Sequence, residues 1–150
     1  MGVYLVLCER IHLIVIYNKY PPMLLDFQSN WSPPFLPTLF WIYHCPIALL
    51  PIELVNYQNL AFLHMHNTTL IKFNIPIRQF PHLKQLWLQS AGNMGPALPT
   101  TLEKLGPVVT SIKLRNVNIK TLPNNFSESW KSQTRWLDLR GNDWSISQCN

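Results

Sequence analysis

The chain has 150 residues and a mass of 17.5 kDa, and 47% of it is hydrophobic, enough for one domain with a substantial core. With 13% charged residues, 13 prolines and 6 tryptophans, the composition excludes a disordered tail and argues against an ordinary helical enzyme, favouring strands and turns. The formal charge of +5 favours anionic partners weakly, but Lys and Arg are scattered with no basic run among aromatics, so no nucleic-acid partner is expected.

In chain order, Met1 to Tyr17 is apolar like a secretion signal, yet Glu9 and Arg10 split the run and no small-residue cleavage site follows before Tyr20-Pro21-Pro22. The uninterrupted apolar stretches fall short of the ~20 residues that span a bilayer, so no membrane span is expected in this chain. Ile11-His-Leu-Ile14-Val-Ile16 reads as a degenerate first strand, and Pro21, Pro22, Pro33 and Pro34 as bends after it. One pattern then recurs: Leu36-Pro-Thr-Leu39-Phe-Trp41, Leu60-Ala-Phe-Leu63-His-Met65, Leu83-Lys-Gln-Leu86-Trp-Leu88, Val109-Thr-Ser-Ile112-Lys-Leu114 and Thr134-Arg-Trp-Leu137-Asp-Leu139. From Leu39 the fourth positions advance by 24, 23, 26 and 25 residues, and Ile14 lies 25 before Leu39. A second signal marks the connections: Leu50-Pro51 with Leu54, Leu98-Pro99 with Leu102 and Leu105, and Leu122-Pro123 with Phe126. Cys8, Cys45 and Cys149 form no CxxC pair, and no cofactor or metal site is expected from them.

LxxLxL followed by xxNxL and LPxxL resembles the leucine-rich repeat family, with Leu137-Asp-Leu139-Arg-Gly-Asn142-Asp-Trp144 the best match. The resemblance implies an α/β-type repeat solenoid: a leucine-rich repeat horseshoe segment with a short-stranded parallel sheet on its concave face and irregular or short helical return arms. It covers about residues 36–146 as about five repeats. Residues 1–35 read as a degenerate N-terminal repeat or cap, and 147–150 as a tail that, with Cys149, resembles the opening of a C-terminal cap. The family's asparagine is present only as Asn142, with His44, Thr68, Ala91 and Val117 in its place elsewhere. Irregular turns held partly by Asn67, Asn93, Asn116 and Asn118 are therefore expected.

Alternation along a strand sends neighbouring residues to opposite faces. Leu63, Met65, Leu86, Leu88, Ile112, Leu114, Leu137 and Leu139 are expected in one core. Three outward columns are expected: Thr38, Phe62, Gln85, Ser111 and Trp136; Phe40, His64, Trp87, Lys113 and Asp138; Ile42, His66, Gln89, Arg115 and Arg140. As the concave face, they would bind a protein or peptide, with Trp87 near the centre and Phe62, Trp136, Arg115 and Arg140 around it. The surface runs from apolar to basic, which suits a partner with one apolar and one acidic end. His64 and His66 share a face but lack a third metal ligand, so their expected role is a mild pH dependence near ~6. Asp138 is expected to pair with Lys113 across strands.

No nucleophile elbow, phosphate loop, kinase motif or zinc spacing occurs, so no catalytic residues are expected. Asn30-Trp-Ser32, Asn67-Thr-Thr69 and Asn125-Phe-Ser127 are glycosylation sequons that tilt the location towards the cell exterior. The expected function is a binding module, a receptor ectodomain or a fragment of one. The alternatives are an intracellular (cytoplasmic) leucine-rich repeat adaptor and the non-catalytic segment of a receptor kinase.

Overall fold

A computed structural model of the chain describes residues 3–8, 13–18, 38–44, 47, 49–50, 52–122, 130 and 132–144. Seven strands form one sheet in chain order: β1 (Val3–Cys8), β2 (Leu13–Asn18), β3 (Leu39–Tyr43), β4 (Phe62–His66), β5 (Gln85–Gln89), β6 (Ser111–Arg115) and β7 (Trp136–Asp138). β1 pairs with β2 antiparallel; every later pairing, β2 to β7, is parallel. A parallel neighbour requires the chain to travel back before the next strand, and here the return runs through short 3-10 turns at Ile52–Asn56 and Ile77–Gln79 and the one-turn helix α1 (Thr100–Glu103). No helix among the described residues is long and apolar enough to cross a membrane.

The register explains the core. Ile14, Phe40, Leu63, Leu86, Ile112 and Leu137 lie side by side, 26, 23, 23, 26 and 25 residues apart. Phe40, Leu63, Leu86 and Ile112, with Ile42, Met65, Leu88 and Leu114 two residues on, are buried on one side of the sheet. The returning segments complete this core with Leu50, Leu54, Phe73, Ile75, Phe80, Leu98 and Leu102. Leu50, Leu54, Leu98 and Leu102 are those expected next to the Leu-Pro signals; Phe126 lies outside the described residues.

Four expectations are corrected. Leu39 and Trp41 do not take the inward positions of β3: Phe40 and Ile42 do, both fully buried, and they leave the exposed columns. Because the side-chain period is two, this one-residue slip reverses the whole strand. In β7 Leu137 keeps its inward register opposite Ile112 but is 40% exposed, and Leu139 packs only partly on the core. Asp138, expected in solvent, is buried. Finally, β1 has no counterpart in the sequence reading, where 1–35 supplied a single strand.

Each strand is entered and left in the same way. The carbonyls of Thr38, Ala61, Lys84 and Thr110 each accept from two successive N–H groups of the next layer, Ala61 and Phe62 on Thr38 at 2.8 and 3.0 Å being the first. On leaving, the chain adopts positive φ at His44, Asn67, Ser90, Asn116 and Gly141. Asn and Gly tolerate this conformation best, which accounts for three of the five residues. At Gly141 a Cβ would also displace the Asn116 side chain, whose Oδ1 occupies that space.

Asn142 closes the last turn. Its Oδ1 accepts from the N–H groups of Val117 and Ile119 at 3.1 and 3.2 Å, and its Nδ2 donates to the carbonyls of Leu114 and Leu139 at 2.6 and 2.7 Å. Elsewhere the expected asparagines contribute: Asn118 Nδ2 donates to Asn93 Oδ1 at 2.9 Å, Asn116 Nδ2 reaches Ser90 Oγ at 3.4 Å, and Asn67 Nδ2 meets His44 Nδ1.

Candidate functional site: the open face of the sheet

Opposite the core, β3 to β7 present three columns. The first is Leu39, Phe62, Gln85, Ser111, Trp136; the second Trp41, His64, Trp87, Lys113, Asp138; the third Tyr43, His66, Gln89, Arg115. Parallel strands in register sit about 4.8 Å apart, so planar side chains in one column are held at stacking distance. His64 lies on Trp87 with ring centroids 4.3 Å apart and planes 4° from parallel, and Tyr43 stacks on His66 at 4.7 Å and 19°. Trp41 and Phe62 meet His64 edge-on at 6.4 and 6.2 Å, and Trp136 meets Trp87 at 5.8 Å. The result is a continuous aromatic strip from Trp41 to Trp136, both more than 40% exposed.

Sequence reasoning missed Leu39, Trp41, Tyr43 and His44 as members of this surface. The slip at β3 hid them, although the three aromatic rings and their polar tips suit a wet face better than Phe40 and Ile42 do. Phe62, His64, His66, Gln85, Trp87, Gln89, Lys113, Arg115 and Trp136 stand on the face in the columns expected of them.

The polar contacts order this strip. Trp87 Nε1 donates to Ser111 Oγ at 3.0 Å. Lys113 Nζ donates to Gln89 Oε1 at 3.1 Å and lies 4.9 Å from the Trp87 ring centroid and 6.0 Å from that of Trp136. The expected Lys113–Asp138 pair does not form. Asp138 instead takes a two-pronged contact from Arg140, Nε to Oδ1 and Nη2 to Oδ2 at 2.8 Å each, and accepts the Arg140 N–H at 3.1 Å. Two residues along the chain, Arg140 can fold back over the carboxylate, whereas Lys113 is drawn to the rings. Hydrogen bonding from Arg140 outweighs burial and holds the Asp138 carboxyl well below the usual range. Arg140 itself remains solvent-facing, with its charge compensated and its own proton held more tightly.

Burial lowers the pKa of His64, against a hydrogen bond with Gln85 that raises it and with the charge of Lys113 adding to the fall. Burial also lowers that of His66, followed by His44 and Lys113. Neither His64 Nε2 nor His66 Nδ1 has a hydrogen-bond partner. Among the described residues no three His, Cys, Asp or Glu side chains gather to hold a metal.

Of the sequons, Asn67 is exposed at the turn after β4, while Asn30 and Asn125 lie outside the described residues. On the other side of the sheet, the turns form an open groove of about 760 Å³ lined by Leu70, Ile71, Phe73, Met94 and Thr100. Its lining is mainly apolar, with Lys72 as its one charged side chain. Set against known proteins, the chain matches no family model and no curated protein.

Proposed function

We propose that the chain is a leucine-rich repeat binding module whose concave face receives a protein or peptide, as part of a receptor ectodomain. One observation carries this reading: the aromatic strip Trp41–His64–Trp87–Trp136 stands on the side of the sheet that the core does not need. Large aromatics beside Lys and Arg are the residues that dominate binding energies when a partner removes them from water. Trp87 is the middle of the strip and is flanked on both sides.

The test is a screen of secreted peptides and ectodomains against the chain and its Trp87→Ala variant. Truncation should weaken a true ligand by ~2 kcal/mol or more. It should cost the fold only ~0.5–1.5 kcal/mol, the value of an aromatic pair. A ligand bound equally by both proteins would move the site elsewhere, and a collapse of stability would make Trp87 a packing residue.

An extracellular location is supported by the exposed Asn67 of Asn67-Thr-Thr69, whose side chain is open to glycan attachment. Passed through a eukaryotic secretory pathway, the chain should carry a glycan that Asn67→Gln removes. A secreted chain without sugar at that position would favour the intracellular adaptor.

A further inference from the structure

We infer that the occupant of the concave face is an extended acidic peptide, its carboxylates on Lys113 and Arg115 and a neighbouring apolar side chain on the His64–Trp87 pair, bound more tightly as pH falls. This rests on the binding reading above and names the ligand and its regulation.

The charge pattern is the first support. Asp138 is the only acid on β3 to β7, and Arg140 occupies both of its oxygens. Lys113 and Arg115 therefore make no direct ion pair with a carboxylate among the described residues, Arg115 acting on Asp138 only through its charge. Lys113 is held over the rings of Trp87 and Trp136 and by the neutral Gln89, a position in which its charge is poorly compensated.

Geometry supplies the spacing. The centre of the His64–Trp87 pair lies about one and a half strand intervals, or about 7 Å, from Lys113, which two residues of extended peptide span at about 3.3 Å each. An acidic residue and an apolar residue two positions apart share one face of the peptide and would reach both.

The histidines couple this site to protons. Tyr43 and His44 face them from β3 and its exit; Gln85, Trp87 and Gln89 on β5 bring no charge. Beyond these lie Lys113 and Arg115 on β6 and the compensated Asp138–Arg140 pair at β7. In the unbound protein a proton on His64 meets the Gln85 side chain but also the charge of Lys113, and one on His66 meets the charges of His44 and Lys113. A ligand carboxylate on Arg115 reverses that balance at His66, which shares its column and is not covered by the apolar side chain, so binding takes up a proton there and is favoured by acid. Peptide carboxylates stay ionised until pH ~4, below this window.

A displayed library of random peptides, selected on the full chain at pH ~5.5, tests this. Enriched peptides should carry Asp or Glu two residues from an aromatic or large aliphatic residue. They should bind several-fold more tightly at pH ~5.5 than at pH ~8. Lys113→Ala with Arg115→Ala should cost at least ~10-fold in affinity, and His64→Gln with His66→Gln should flatten the pH dependence while retaining binding. Neutral or basic peptides, no enrichment at all, or affinity that is constant or rises with pH would overturn the inference. Non-acidic peptides that still lose binding in Trp87→Ala would leave the concave-face reading intact. Acidic peptides indifferent to Trp87→Ala and to the Lys113 and Arg115 substitutions would overturn both.

Discussion

Phe40 and Trp41 are neighbours with opposite duties. Phe40 is fully buried beside Leu63, whereas Trp41 keeps 41% of its surface in water and touches Tyr43 and His64 edge-on. Both are large aromatics one residue apart, so their substitution tests the register of the strand. Phe40→Ala should lower stability by ~3–5 kcal/mol through lost contacts and a cavity. Trp41→Ala should cost about 1 kcal/mol, the scale of its ring contacts. Equal losses in urea titrations of the two variants would mean that β3 is not in the described register.

At the scale of strands and turns, the positions of β4, β5 and β6 were legible because each alternates apolar with polar or aromatic residues between recognisable returns. β3 was not, since Leu39-Phe-Trp41-Ile-Tyr43 is apolar at every position and gives alternation nothing to act on. Only contact with β2 and β4 decides which side of it is wet. β7 differs in another way: Leu137 obeys the repeat and pairs with Ile112, yet it keeps 40% of its surface exposed. Asp138 could not be placed from spacing either, because its burial depends on Arg140 folding back. The left-handed exits at His44, Asn67, Ser90, Asn116 and Gly141 were half-visible as Asn and Gly one period apart, and the His and Ser positions masked the column.

For the whole molecule, the open face links ionisation to stability. His64 and His66 titrate below their ordinary 6.5 in the folded protein, so between those pH values the unfolded chain binds more protons. Their contribution is complete above pH 6.5 and is lost as pH falls through the folded pKa values. Asp138 contributes a second, lower loss, beginning only below its ordinary 3.8. Melting temperatures should therefore fall from pH ~7.5 to ~5 in the unmodified chain, and fall less in the His64→Gln, His66→Gln variant. Parallel curves would show that these rings do not govern the upper step.

The order of the sheet also bears on how the molecule is made. Every strand from β3 onward docks on one that precedes it by 23 to 26 residues, and none waits for a strand translated later. Each crossover closes a loop of nearly constant length, so its entropic cost scarcely changes along the chain. At ~5–20 residues per second, a ribosome delivers one such unit roughly every one to five seconds. Of these seven strands the antiparallel pair β1–β2 is translated before the rest and presents an edge, and each newly translated strand in turn becomes the template for its successor.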